Sequence, residues 1–406
     1  MHILYFHQHF STPSGATGTR SYEMAQKLIS KGHAVTMVCG SYNVGATGLV
    51  MPFEKGRRRG DVNGIDVIEF DLTYANTDGF LKRSWQFILF AMHSVKIALT
   101  HNYDLLFATS TPLTASIPGI FAALFKRKKF VFEVRDLWPE LPKAMGAISN
   151  PVILGGMSVL EKVSYRMADA CIGLSPGIVD GIKRRSRDSL PVSMIPNGCD
   201  LAFFSQATQA VSLPFEKTDD QLIACFTGAH GMANGLDNVL DAAAILHKSA
   251  GDKVLFLFVG EGKEKAQLQE RVKTQGLTNC IFMDAMPKHN LVSVLHQSDV
   301  GLMPLANVPA FYYGTSPNKF FDYLSCGLPI VNNYPGWLAD MIQQHDIGLA
   351  VAPDDAQKLA DALLQLANDK GSLPATGQRA RELAEREFDR DRLSDQFLAT
   401  LEEAAK

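Results

Sequence analysis

The sequence predicts two successive doubly wound α/β domains, and three observations carry that reading. Short continuous apolar runs alternate with stretches of helical periodicity, as parallel strands covered on both faces do. The alternation runs from residue 1 to residue 135 and restarts after residue 215. At roughly 100–200 residues per domain, 406 residues suffice for two or three domains.

The elements follow in order. Residues 1–6 read as a strand. Residues 21–31 read as a helix ending at Gly32, and 34–39, 65–70, 105–108 and 129–134 as further strands. In the second half, 222–227 is a strand, followed by a glycine-rich turn and a helix over 236–248. Strand 254–259 leads into Gly260-Glu261-Gly262. Short strands follow at 281–283, 300–303 and 329–332, and 348–351 closes the sheet. Proline and glycine break regularity within 191–200. The expected domains are therefore 1–198 and 199–376, with a helical segment at 377–406. No short repeat or low-complexity segment occurs. Ligands of open α/β sheets bind beyond the C-terminal strand ends, so two such sheets facing each other would gather their ligands in a cleft.

Composition excludes several classes. Hydrophobic residues at 46% and charged residues at 20% argue against disorder and fibrous folds. The net charge of −3 argues against a general nucleic-acid binder, yet residues 1–200 carry +6 and residues 201–406 carry −9. The two halves are thus suited to different partners. Six scattered cysteines without a C-x-x-C pair fit buried free thiols in a reducing compartment. The start has neither the charged region nor the cleavage site of a signal peptide. The apolar stretch 85–99 contains His93, Ser94 and Lys96 and is shorter than the roughly 20 residues of a membrane span. It reads as a buried or interfacial helix.

Three segments could carry chemistry. The loop 6–20 follows the first strand and opens a helix, and its Gly15 and Gly18 let backbone approach a phosphate or a sugar. It is not G-x-G-x-x-G, and no acidic residue ends the second strand, which counts against a nicotinamide enzyme. His7 and His9 lack a third ligand at a usable spacing, so no metal is expected there. The segment 132–140, FEVRDLWPE, places Glu133, Asp136 and Glu140 beside Arg135 at a strand end. Arg135 there either holds a phosphate or carboxylate, or forms a structural pair with Asp136. In 313–323, YGTSPNKFFDY, a Ser-Pro start signals a helix N-terminus suited to a diphosphate. Lys319 adds a positive charge, and Asp322, three residues on, shares its helix face and suits ribose hydroxyls.

Taken together these segments resemble the family-4 retaining glycosyltransferases of the GT-B fold, and most nearly the bacterial N-acetylfucosamine-type transferases of O-antigen and capsule synthesis. The resemblance covers nearly the whole chain. It is carried by Arg20-Ser21-Tyr22-Glu23 after the glycine loop, FEVRDLWPE at 132–140, IPNGCDLAFF at 195–204, FTGAHGMANGLDNVLDAA at 226–243, FVGEGKEKAQL at 258–268 and SPNKFFDYLSCGLPIV at 316–331.

The resemblance implies two Rossmann-like domains facing across a cleft and a UDP-sugar donor held mainly by the second. Asp322 would take the ribose, and the amides of Ser316, Asn318 and Lys319 the diphosphate. Gly228 would lie by the phosphates, and Gly260, Gly262, Ala285 and Met286 near the base. Gly15 and Gly18 would approach from the first domain. Arg135, Asp136 and Lys319 are the expected catalytic groups, with His9, Arg20 and Glu140 on the acceptor side. The chain departs from the family at four points: Gly314 stands at the first Glu of E-x7-E, Ala229 and Asn234 stand at the usual Arg and Lys of the diphosphate clamp, and Arg135 stands where many members have a His after the fourth or fifth strand.

The implied reaction retains configuration and needs no metal or other cofactor. The only D-x-D, Asp389-Arg390-Asp391, lies in the charged C-terminal helix. The basic first half, with clusters at 55–59, 126–129 and 183–187 and the stretch 85–99, suits an anionic membrane surface. It also suits a polyprenyl-diphosphate-linked acceptor, placing the protein in the cytoplasm on the inner face of the plasma membrane. The other readings are a UDP-sugar 2-epimerase-type enzyme and a non-catalytic membrane-associated subunit.

Overall fold

The computed structural model describes residues 1–75, 78–205 and 210–406, which fold as two compact units. The first holds Met1–Asn197, Tyr313–Ser316 and Asp391–Lys406; the second holds Gly198–Tyr312 and Pro317–Arg390.

The strands of the first unit are β1 (His2–Phe6), β2 (Ala34–Tyr42), β3 (Arg57–Val62), β4 (Ile65–Tyr74), β5 (Leu105–Thr109), β6 (Lys129–Val134), β7 (Ala170–Gly173) and β8 (Val192–Met194). They form one sheet in the order β3-β4-β2-β1-β5-β6-β7-β8. All pairings are parallel except β3 with β4, an antiparallel pair at the sheet edge. The apolar runs explain the layering. Phe130 and Phe132 of β6 point to one face and Val131 to the other, and separate cores form on the two faces.

The second unit has β9 (Leu222–Thr227), β10 (Val254–Val259), β11 (Cys280–Met283), β12 (Val300–Met303), β13 (Ile330–Asn332) and β14 (Gly348–Ala350). Their order is β11-β10-β9-β12-β13-β14, and every pair is parallel. Each sheet therefore has one place where the winding reverses: between β1 and β5, and between β9 and β12. Crevices at such switch points are where doubly wound sheets bind ligands.

The C-terminal residues, expected as a helical segment over 377–406, are helical and divide between the two units. Helix Leu373–Glu387 packs within the second unit, against helix Asn318–Cys326. Helix Arg390–Ala405 returns to the first unit, where Leu393, Phe397 and Leu401 complete a core. Phe397 sets its ring edge to face with Phe107 of β5 at 4.9 Å. The helical character of this tail was legible in its sequence; the core it completes was not. All six cysteines are free thiols, five of them buried.

Candidate functional site

In the first unit the residues after β1, β5 and β6 converge on the switch point. The Arg135 amide donates to Ser110 Oγ at 2.9 Å. The Arg135 guanidinium meets His7 Nε2 at 3.2 Å and Glu133 Oε1 at 3.7 Å. Burial first, then the Arg135 charge, holds the His7 imidazole well below its ordinary pKa, so His7 is a neutral acceptor. Asp136 takes a hydrogen bond from Thr111 Oγ1 at 2.9 Å. Burial raises its carboxyl, with Thr111 and Arg135 pulling the other way. The structural Arg135–Asp136 pair, one reading of FEVRDLWPE, is not what forms: Arg135 turns to His7 and Glu133, and Asp136 to Thr111.

His9 sits among Tyr42, Tyr74 and Phe87, with ring centroids 4.4–6.3 Å away. Burial and then Arg135 push its pKa down to about 3, so it too is neutral. Glu140 is exposed and opens the short helix Glu140–Ala144.

Arg20 is a correction. It was expected on the acceptor side, yet only 3% of its side chain is exposed. Its guanidinium donates to Glu133 Oε2 at 3.0 and 2.8 Å, to Pro196 O at 2.6 Å and to Ile195 O at 2.9 Å. Every nitrogen is committed within the fold, so Arg20 pins β6 to the segment after β8.

Gly15 has a similarly internal role. A Cβ there would stand 2.3 Å from Ser11 Oγ and 2.7 Å from the Ala46 amide. The loop is tied to 44–46 by Thr12 N to Ala46 O and Ala16 N to Val44 O. Its glycine serves close chain packing, and the Gly15 amide already donates to Thr12 O. Gly18 is half-buried just before helix Arg20–Ser30.

The second unit brings Gly228, Lys319 and Asn234 together at the β9 end. Lys319, in the first turn of helix Asn318–Cys326, donates to Asn234 Oδ1 at 2.7 Å and lies 4.1 Å from the Phe226 ring centroid. Asn234 is itself held by its amide bond to Ala229 O. Among the described residues no carboxylate pairs with Lys319, and burial lowers its pKa to about 7. A Cβ on Gly228 would approach the Lys319 ammonium to 3.7 Å.

Gly260 and Gly262, expected near a base, pack the loop after β10 against the loop after β9. A Cβ on Gly260 would stand 1.9 Å from Gly228 O, and one on Gly262 2.1 Å from His230 O. With φ at +151° as well, Gly260→Ala is expected to destabilise the second unit by at least about 2 kcal/mol, read in a melting curve. Ala285 and Met286 are half-buried after β11.

Asp322 does not share a partner with Lys319, although three residues separate them. Its carboxylate faces Lys288 at 3.6 Å, and that ammonium lies over the rings of Phe203 and Phe204. Burial raises the Asp322 pKa, opposed by Lys288 and Arg390. About an eighth of its side chain stays exposed. Asn318 is exposed at the helix start. Ser316 falls in the first unit, its hydroxyl and carbonyl accepting from Asn197. Gly314 ends helix Pro309–Gly314 with open space where a Cβ would be.

Several residues escaped sequence reasoning. Lys288 lies 34 positions before its carboxylate partner. His230 is wholly buried among Phe226, Phe258 and Phe282, and among the described residues neither ring nitrogen has a hydrogen-bond partner; its pKa is lowered to about 4 by burial, then Lys265 and Lys319. Lys265 joins the loops after β10 and β11 through Glu261 and Asp284, each at 2.6 Å. No local spacing announced Lys288 or His230; of these contacts only Glu261–Lys265 lies at i,i+4.

Comparison with known proteins agrees with this architecture. Residues 15–198 match the family described as glycosyl transferase 4-like domain, and residues 212–383 match glycosyl transferases group 1. The amylovoran biosynthesis glycosyltransferase AmsK of Erwinia amylovora is 25% identical over 42% of this chain and 42% of its own. The chain spans about half the length of the curated relatives it matches first. Sucrose-phosphate synthase from Thermosynechococcus elongatus superposes with a TM-score of 0.74 at 17% identity, covering 99% of this chain and 98% of that one. Anabaena HepE in complex with UDP and glucose gives 0.66 at 18% identity over 98% and 99%. The chain has the GT-B fold, its first part similar to the glycosyl transferase 4-like domain and its second to glycosyl transferases group 1.

Proposed function

We propose that this protein is a retaining glycosyltransferase of bacterial surface polysaccharide synthesis. It moves a sugar, of the N-acetylated hexosamine or 6-deoxyhexosamine type, from a UDP-sugar to a lipid-diphosphate-linked saccharide. The observation that carries the reading is the Lys319 ammonium. It is half-buried, lacks a carboxylate partner among the described residues, and lies beside Gly228 at the β9–β12 switch point, where an anion would complete it. The amylovoran role in AmsK's name and the UDP bound by HepE support polymer synthesis and the donor class.

In this reading the sugar's anomeric carbon leaves the diphosphate oxygen and bonds the acceptor hydroxyl on the same face. The hydroxyl proton passes to the departing phosphate. Lys319 and the amides of the helix start stabilise the charge growing on the diphosphate, without a metal. Asp322, oriented by Lys288, takes the ribose hydroxyls. Arg135 and Asp136 act in the first domain, on the acceptor's anionic and hydroxyl groups.

The test is a thermal shift with UDP, GDP and NAD, each with and without EDTA. A ligand that binds the native state raises the melting temperature by mass action. Stabilisation by UDP alone, unchanged by EDTA and lost in Asp322→Asn, is expected. A response to GDP instead would change the donor class. Silence to all three would overturn the donor site.

A further inference from the structure

Helices of the first unit turn apolar side chains to solvent along a connected face. On helix Phe80–Thr100, Leu81, Trp85, Ile88 and Met92 recur at i, i+4, i+7 and i+11, away from the buried Phe90 and Ile97. Trp85 is 59% exposed and Leu81 82%, values at odds with an ordinary solvent face. Helix Ile117–Phe121 packs against this helix, and the turn that follows exposes Leu124 and Phe125. Helix Pro151–Met167 packs on it in turn and exposes Val152 and Val159.

Charge around this face is mostly of one sign; the exceptions are Asp78, paired with Lys82, and Asp169, paired with Lys129. Helix Phe80–Thr100 and residues 113–128 contain no Asp or Glu. The one acid of helix Pro151–Met167, Glu161, is buried and paired with Arg185 at 2.7 Å. The apolar stripe runs on from Met92 to Lys96. The bond from Lys126 Nζ to His101 O, at 2.6 Å, brings residues 126–128 to the same helix end. Among the described residues none of Lys96, Lys126, Arg127 and Lys128 pairs with a carboxylate. The other basic clusters behave differently: Arg58 is paired with Glu69, Arg59 with Asp66, and Arg187 with backbone carbonyls. Among the described residues no helix is long and apolar enough to cross a membrane.

We propose that this face docks on an anionic lipid surface. Leu81, Trp85, Ile88 and Met92 enter the boundary of headgroups and acyl chains, and the cations at the stripe's end meet lipid phosphates. An apolar strip flanked by lysine and arginine is the chemistry of an interfacial helix. A protein partner would have to present a long acidic rim to the same cations. The inference goes beyond the transferase reading and stands without it.

Vesicle flotation with phosphatidylglycerol and with phosphatidylcholine tests it, together with quenching of tryptophan fluorescence by brominated acyl chains. Wild type is expected to float with the anionic vesicles, less so as salt rises, and to be quenched. Trp85→Phe should lose the quenching and keep most of the binding. The triple variant Lys96→Gln, Arg127→Gln, Lys128→Gln should partition about a hundredfold less, at about 1 kcal/mol per cation. Lys96 and Arg127 are exposed and Lys128 is half-buried beside the Tyr103 ring, and an unchanged UDP thermal shift in this variant would show the fold and the donor reading unaffected. Equal flotation on both lipids would overturn the proposal. So would unquenched Trp85, or a dimer in light scattering that Leu81→Gln dissolves, which would make a second copy the occupant.

Discussion

Arg20→Ala is expected to destabilise the first unit by about 3–5 kcal/mol, the scale for breaking a buried ion pair. At roughly 2–4 °C per kcal/mol for a unit of this size, the melting temperature should fall by on the order of 10 °C. The cost arises from what stays behind. Glu133 is fully buried, and without Arg20 it keeps Thr109 Oγ1 at 2.8 Å and the more distant Arg135. The carbonyls of Ile195 and Pro196 lose their donor as well. Arg20→Lys should recover little, because a point charge cannot span two carbonyls and a carboxylate.

The pH dependence has a definite sign. Burial pushes the Glu133 pKa up, but Arg20, Arg135 and Thr109 hold it below the ordinary value. The pair therefore stabilises above the unfolded carboxylate range, and its contribution fades as pH falls through the folded pKa. Wild type and Arg20→Ala melts should converge in acid. A variant melting within a degree of wild type at neutral pH would sink the pinning role.

Lys319→Met should lower turnover by about a hundred- to a thousandfold, the range for removing one preorganised charge partner of a leaving group. Methionine fills the space over Phe226, so the melting temperature should hold or rise slightly. The folded pKa of about 7 lies below that of a free lysine, so between the two the unfolded chain holds the extra proton. Stability therefore rises with pH across that window in wild type and not in Lys319→Met. Diphosphate binding has the opposite slope. An anion restores the lost partner and draws a proton onto Lys319. Affinity for UDP should be highest near pH 7; it should fall above that, by up to about tenfold per unit, as Lys319 loses its proton, and fall again below about pH 6, where the terminal phosphate gains one. Calorimetry in buffers of different ionisation heat would read the proton uptake directly. Turnover that survives Lys319→Met would remove it from the mechanism.

Much of this fold was legible because parallel strands are continuous apolar runs, and those runs are local. Strands such as 254–259 and 129–134 coincide with the observed elements. The edge pair β3–β4 was only half visible. Arg57–Val62 is charged, and it is a strand because Arg58 and Arg59 pair with Glu69 and Asp66 across the ladder. Local pattern also placed the site residues at strand and helix ends. It could not say which way each side chain turns. Lys319 and Asp322 share a helix, yet one reaches Asn234 and the other Lys288, 85 and 34 residues away in sequence. Arg20 and Gly15 look like ligand groups in sequence because positive charge and flexibility serve internal joints equally well.

The return of helix Arg390–Ala405 has a consequence for how the chain is made. Synthesis is vectorial, and domains generally fold in the order they emerge. Here the core around Phe107 lacks Phe397 and Leu401 until nearly 200 residues beyond Asn197 have left the ribosome. The second unit can finish while the first still waits, its apolar groove open to chaperones. A chain truncated after residue 389 and released from the ribosome should therefore be protected from protease in its second unit and digested in its first.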